Sequence, residues 1–127
     1  MRRCVYMRKC KIFIVEDEPD IIKLYKTVLK KKGYEIEIAM DGKEAVEKYM
    51  KFDEKPDLII MDHRMPVKSG LEAAAEILSI NKNARILFAS ADVSVKEKAL
   101  QMGAVGFLKK PFSLKLFLSE IESILDR

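Results

Sequence analysis

The stretch Pro56-Asp57-Leu58-Ile59-Ile60-Met61-Asp62 decides the fold. Its four consecutive apolar residues are too short a run for a helix of ordinary length, and no polar residue interrupts them. That is the mark of a strand covered on both faces. Pro56 and Asp57 punctuate its start, and Asp62 leaves a carboxylate at its carboxyl end. Working outward, similar runs recur at Ile12-Phe13-Ile14-Val15, Ile86-Leu87-Phe88-Ala89 and Val105-Gly106-Phe107-Leu108. The alternating run Tyr34-Glu35-Ile36-Glu37-Ile38-Ala39 reads as a fifth strand with one more polar side, nearer a sheet edge.

Helical patterns fill the intervals. The first begins near Pro19, whose missing amide proton suits an early helical position, and presents Ile21, Leu24, Tyr25 and Val28 to the sheet. Lysines 30–32 complement its negative end and Gly33 supplies a left-handed cap, a simpler account than a basic binding patch. A second helix over 43–50 has Asp41 as its cap and Ala45, Val46, Tyr49 and Met50 for packing. A third, capped by Ser69, offers Leu71, Ala74, Ala75, Ile77 and Leu78; Ser94 caps a short fourth through Leu100 and Met102. The last, over 113–125, carries Leu114, Phe117, Leu118, Ile121, Ile124 and Leu125 at helical spacing. Strands alternating with helices predict an α/β, doubly wound domain: an open five-stranded parallel sheet with helices on both faces.

At 127 residues and 14.6 kDa the chain has room for one hydrophobic core. Its formal charge of +4 suggests a nucleic-acid or anionic-membrane surface until its distribution is read. Arg2, Arg3, Arg8, Lys9 and Lys11 precede Ile12 with no acid among them; without these five, nineteen basic residues face twenty acids. The division is therefore a basic leader over 1–8 and a near-neutral domain over 9–127. A frayed or strand-extending terminus is a simpler reading of the leader than a polyanion contact. Its apolar stretch, Cys4 to Met7, is too short for a signal peptide. Cys4 and Cys10 are too close together to close a loop across the core and too few for a four-ligand zinc site, so a reducing compartment is expected. No apolar run approaches the roughly 20 residues that cross a bilayer. Together these features predict a cytoplasmic protein without membrane insertion.

The chemistry-bearing residues cluster by position in the predicted sheet. Glu16 and Asp17 follow the first strand, Asp62 the third and Ser90 the fourth, while Lys110 lies just beyond the fifth, before Pro111. In open parallel sheets the carboxyl ends of the strands form the ligand crevice at the topological switch point. Two or three carboxylates there supply hard oxygen donors, which suit magnesium better than zinc. Without a metal or lysine to balance them, such acids repel and favour protonation.

Over residues 9–125 the sequence resembles the receiver domain of two-component response regulators, of the single-domain type. The resemblance rests on Val15-Glu16-Asp17-Glu18-Pro19, the quoted 56–62 stretch, Met65-Pro66 with Gly70, Ile86 to Ala91, and Gly103 to Phe112. It implies the flavodoxin-like receiver fold and a phosphoprotein in which Asp62 takes a phosphoryl group from a phosphohistidine. The donor is a histidine kinase or a histidine-containing phosphotransfer protein. It further implies magnesium held by Glu16, Asp17, Asp62 and the backbone carbonyl of Arg64, with Lys110 neutralising phosphoryl oxygens and Ser90 receiving the new oxygen contact. Pro111 follows the lysine through a cis bond in this family. Such a domain catalyses its own phosphorylation and dephosphorylation but serves mainly as a signalling switch.

The same resemblance couples Ser90 to Phe107, where the family commonly has tyrosine; the ring keeps the steric switch and lacks the phenolic hydrogen bond. Arg64 and Asp92, each two positions beyond a site residue, are candidates to pair over the pocket and set the phosphate's lifetime by restricting water; independent surface positions without a pair are the competing reading. His63 is expected to face the opposite side or to support the pocket rather than take part in chemistry. Lys68-Ser69 replaces a methionine-aspartate pair frequent in the family. Output is expected through a downstream protein at the fourth helix, fifth strand and last helix, without direct DNA binding, and a weak or phosphorylation-dependent dimer is a further expectation. A constitutive scaffold with an unused pocket is the competing reading. A phosphatase acting on a separate phosphoprotein is the other.

Overall fold

The structure is a computed structural model that describes residues 9–126. The leader over 1–8 lies outside the described residues. Among those described, the chain alternates β1 (Lys11–Val15), α1 (Pro19–Lys31), β2 (Glu35–Ala39), α2 (Gly42–Lys51), β3 (Leu58–Met61), α3 (Gly70–Ile80), β4 (Ile86–Ser90), a 3-10 turn (Val93–Val95), α4 (Lys96–Gln101), β5 (Gly106–Lys109) and α5 (Leu114–Leu125). The five strands form one parallel sheet in the order β2-β1-β3-β4-β5. The order reverses between β1 and β3, where Val15 pairs with Met61 and the two carboxyl ends come level.

Side-chain alternation along each strand separates two cores. Ile12, Ile14, Leu58, Ile60, Leu87 and Ala89 face α1 and α5, where Tyr25, Leu29, Phe117 and Ile121 close over them. Phe13, Val15, Ile59, Met61, Ile86 and Phe88 face α2, α3 and α4, meeting Ala45, Tyr49, Ala73, Ala74, Ile77 and Ala99. Every residue of β3 is buried, as its uninterrupted apolar run requires. Edge strand β2 is only partly buried at Ile36 and Ile38.

Several helical details differ from expectation. In α1 the buried residues are Ile22, Tyr25 and Leu29, while Leu24 is 45% exposed and Ile21 and Val28 are half-buried. The sequence carries two overlapping apolar stripes one residue apart, and packing selects the later one. Met50 and Ala75 are exposed, and Ala73 takes the buried place. Ser94 does not cap α4: Asp92 caps the 3-10 turn instead, accepting from the Ser94 amide, and α4 proper is only six residues long. Cys10 is buried and disulfide-bonded, which departs from the reduced thiol that a reducing compartment would leave.

Candidate functional site

The sheet's backbone ladder carries the site residues to one end of the fold. Beyond β1, the Glu16 amide donates to the Ala39 carbonyl (3.0 Å); beyond β3, the Asp62 amide donates to the Val15 carbonyl (3.0 Å). Beyond β5, the Lys110 amide donates to the Ser90 carbonyl (2.9 Å). Glu16, Asp62 and Ser90 are 1%, 6% and 1% exposed, and Asp17 is half-buried. Carboxylate oxygens of Glu16, Asp17 and Asp62 lie within 4.8 Å of one another. Lys110 reaches in from the far side, its Nζ 2.6 Å from Glu16 Oε1 and 3.8 Å from Asp62 Oδ1. The Lys110–Pro111 bond is cis.

Close backbone packing fixes the loop that leaves Asp62. A Cβ on Gly70 would stand 2.0 Å from the Asp62 carbonyl oxygen, so only glycine lets the start of α3 lie against the strand end. Gly42, at the start of α2, approaches the Lys68 carbonyl in the same way. Ser69 completes a reciprocal capping box with Glu72. The His63 amide donates to Asp62 Oδ1 (2.8 Å), and its Nδ1 accepts from the Leu71 amide (3.4 Å). His63 thus orients the carboxylate through its backbone and braces α3 through its ring.

Electrostatically the pocket is under tension. Burial pushes the Glu16 carboxyl up from its ordinary range, opposed by the hydrogen bond from Lys110 and reinforced by the Asp62 charge. Burial likewise raises Asp62, with Lys110 and the His63 amide pulling it down and Asp17 and Glu18 pushing it up. One lysine therefore offsets only part of the clustered charge. The three carboxylates are hard donors, and octahedral magnesium at about 2.0–2.1 Å places ligand oxygens about 2.9–4.2 Å apart. The separations within 4.8 Å fit that ion with small side-chain adjustments.

Residues 12–122 match the response regulator receiver domain. This chain belongs to that family. The chemotaxis protein CheY of Treponema pallidum is 35% identical over 118 residues, spanning 91% of this chain and 82% of that protein. The CheX–CheY complex of Borrelia burgdorferi with BeF3 and magnesium contains a chain 28% identical, with a TM-score of 0.89 over 94% of this chain and 91% of that one. The response regulator TrrA of Thermotoga maritima, in complex with magnesium and BeF, is 33% identical at a TM-score of 0.81, over 91% and 98% of the two chains.

In this receiver domain a cavity of about 250 Å³ opens over Asp62, lined by Glu18, Asp62, Arg64, Ser90, Ala91 and Lys110. Arg64 Nε lies 3.5 Å from Asp92 Oδ2, the arginine 76% exposed. Ser90 Oγ points back and accepts from the Asp92 amide (3.1 Å). Phe107 is half-buried and stacks on Phe88 with ring centroids 6.4 Å apart. Sequence reasoning missed Glu18 and Ala91 as cavity walls and the His63 amide as a partner of Asp62. Glu18 was signalled by its place in the acidic run; the amide leaves no signal in residue type. No helix among the described residues is long and apolar enough to cross a membrane.

Proposed function

We propose that this receiver domain takes a phosphoryl group from a phosphohistidine of a histidine kinase or phosphotransfer protein onto Asp62. The observation that carries this reading is the buried convergence of Glu16, Asp17 and Asp62 with the Lys110 ammonium. An ionised Asp62 oxygen attacks phosphorus; a P–O bond forms as the donor P–N bond breaks, and its electron pair stays on the imidazole. Glu16, Asp17, an Asp62 oxygen and the Arg64 carbonyl would hold magnesium, which when bound supplies positive charge to the phosphoryl oxygens. Lys110 moves from Glu16 toward those oxygens, and the His63 amide keeps the carboxylate aimed.

Ser90 then turns its hydroxyl to the phosphoryl group and gives up the bond from the Asp92 amide. That shifts the turn into α4 and frees space beside Phe107, so the face of α4, β5 and α5 changes for a downstream protein. The two states differ in partner affinity, as any such switch requires. The complex of Borrelia burgdorferi CheY with CheX supports protein contact by a domain of this kind. The Arg64–Asp92 pair acts as a gate that slows hydrolysis of the acyl phosphate.

Incubation with magnesium and a small phosphoryl donor, followed by intact-mass measurement, tests the assignment. Wild type gains one phosphoryl group and Asp62→Ala gains none; Lys110→Ala is slowed by roughly 10²-fold, as for loss of one charge-stabilising donor. A mass gain that survives Asp62→Ala overturns the nucleophile. No gain with any donor leaves the constitutive scaffold as the better reading.

A further inference from the structure

The segment that follows the site lysine is tied to α1 by an aromatic stack. Phe112, two residues after Lys110, stacks on Phe117 of α5 (centroids 5.5 Å, planes 19° apart) and on Tyr25 of α1 (6.3 Å, 19°). Tyr25 in turn stacks on Phe117 at 4.5 Å. Tyr25 is buried, yet it also lines an apolar groove of about 240 Å³ whose walls include Lys110, Pro111 and Phe112. Lys110 is thus shared: it borders the groove that Tyr25 also lines, and its ammonium stands in the acidic pocket, where the side chain is only 15% exposed.

Position is the whole of this lysine's task. Its Nζ sits between two carboxylates at unequal distances, 2.6 Å from Glu16 and 3.8 Å from Asp62, and must travel from the first toward a group on the second. A flexible four-carbon stem delivers a charge accurately only when something limits its paths. Helix α1 begins at Pro19, two residues beyond Asp17, so a ring anchored in α1 is registered to the same acids that the lysine serves. The Tyr25 phenol is held up by burial and by the charges of Glu16, Asp62 and Glu18, and so stays neutral beside the pocket.

We propose that Tyr25 is a positioning residue for Lys110: its ring stacks the 110–112 segment onto α1 and walls the lysine stem, fixing where the ammonium meets the phosphoryl oxygens. This rests on the reading of Asp62 as phosphoacceptor. Because the ring and not the hydroxyl does the holding, phenylalanine serves in its place and leucine does not.

The test uses the full chain, saturating magnesium and acetyl phosphate, with the phosphorylation rate read by intact mass and magnesium affinity read separately by titration calorimetry. Tyr25→Leu is expected to phosphorylate about tenfold more slowly, the scale of a misplaced catalytic group, with magnesium affinity within about twofold of wild type. Tyr25→Phe keeps the wild-type rate. Tyr25→Leu combined with Lys110→Ala is no slower than Lys110→Ala alone, because one residue acts through the other; a merely structural loss would slow both backgrounds equally. Should Tyr25→Leu not fold, Phe112→Leu removes the same stack from the other side and is judged by the same rates. A wild-type rate in the leucine variant, additive losses in the double variant, or equal losses in Phe and Leu variants each overturn the proposal while the phosphoacceptor reading stands. A wild-type protein that never gains mass overturns both.

Discussion

At the scale of single residues, the pocket sacrifices stability for charge density. Asp62 is raised by burial first, so its ionised form opposes folding. For a carboxylate with a raised folded pKa the unfolded chain releases its proton first as pH rises; stability is highest below the unfolded pKa and falls as pH climbs to the folded one. Asp62→Asn is therefore expected to stabilise the magnesium-free protein at neutral pH, by on the order of 1 kcal/mol after the lost lysine attraction is subtracted. Chemical denaturation of the two proteins from pH 7 downward should show the advantage shrinking, and saturating magnesium should shrink it as well. Across the pocket mouth, Arg64→Ala and Asp92→Ala should each speed loss of the phosphoryl group by several-fold, about 1 kcal/mol of barrier. Unchanged decay in both, followed by mass, rejects the gate. Asp92 is also held below the usual carboxylate range, first by the Ser94 hydroxyl and less by Arg64, so Ser94→Ala tests whether its cap shares in the effect. Glu16, Asp17, Asp62, Ser90 and Lys110 were legible in the sequence because strand ends are legible. Glu18 as a wall and the His63 amide as a donor depend on how a loop turns, and residue type does not encode that.

Among elements, β3 and β1 could be read without ambiguity because doubly buried strands leave no polar residue in the run. Helix α1 could not. Ile21, Ile22, Leu24, Tyr25, Val28 and Leu29 allow two stripes of equal quality, and the choice belongs to the sheet and to the ring stack above it, neither of which is local. The difference is measurable. Leu29→Ala empties a fully buried site and should cost about 2–5 kcal/mol, whereas Leu24→Ala at an exposed site should stay within about 0.5 kcal/mol by urea denaturation. The reverse order would restore the stripe first read from the sequence. The start of α4 was misplaced for a related reason. Asp92 and Ser94 are both good caps, and Asp92 prevails because the Ser90 hydroxyl also holds its amide. That link couples the turn directly to the position of the Ser90 hydroxyl. In Ser90→Ala, phosphorylation of Asp62 should persist while the change in hydrogen exchange over 92–101 and 106–109 that accompanies it in wild type is lost. Identical exchange changes in both proteins would separate the turn from the switch.

The described residues form two cores on one sheet, with the candidate site where the strand order reverses. Both the layer order and the position of the site followed from the alternation of strands and helices, since parallel strands with short connections leave few other arrangements. Glu16 and Lys110, in direct contact, are 94 positions apart in the chain, and Asp62 lies between them in sequence. A nascent chain lacking its fifth strand and the lysine beyond it cannot bring these three together. On the proposed reading, phosphorylation would therefore also report completed folding: a copy without its fifth strand would stay silent.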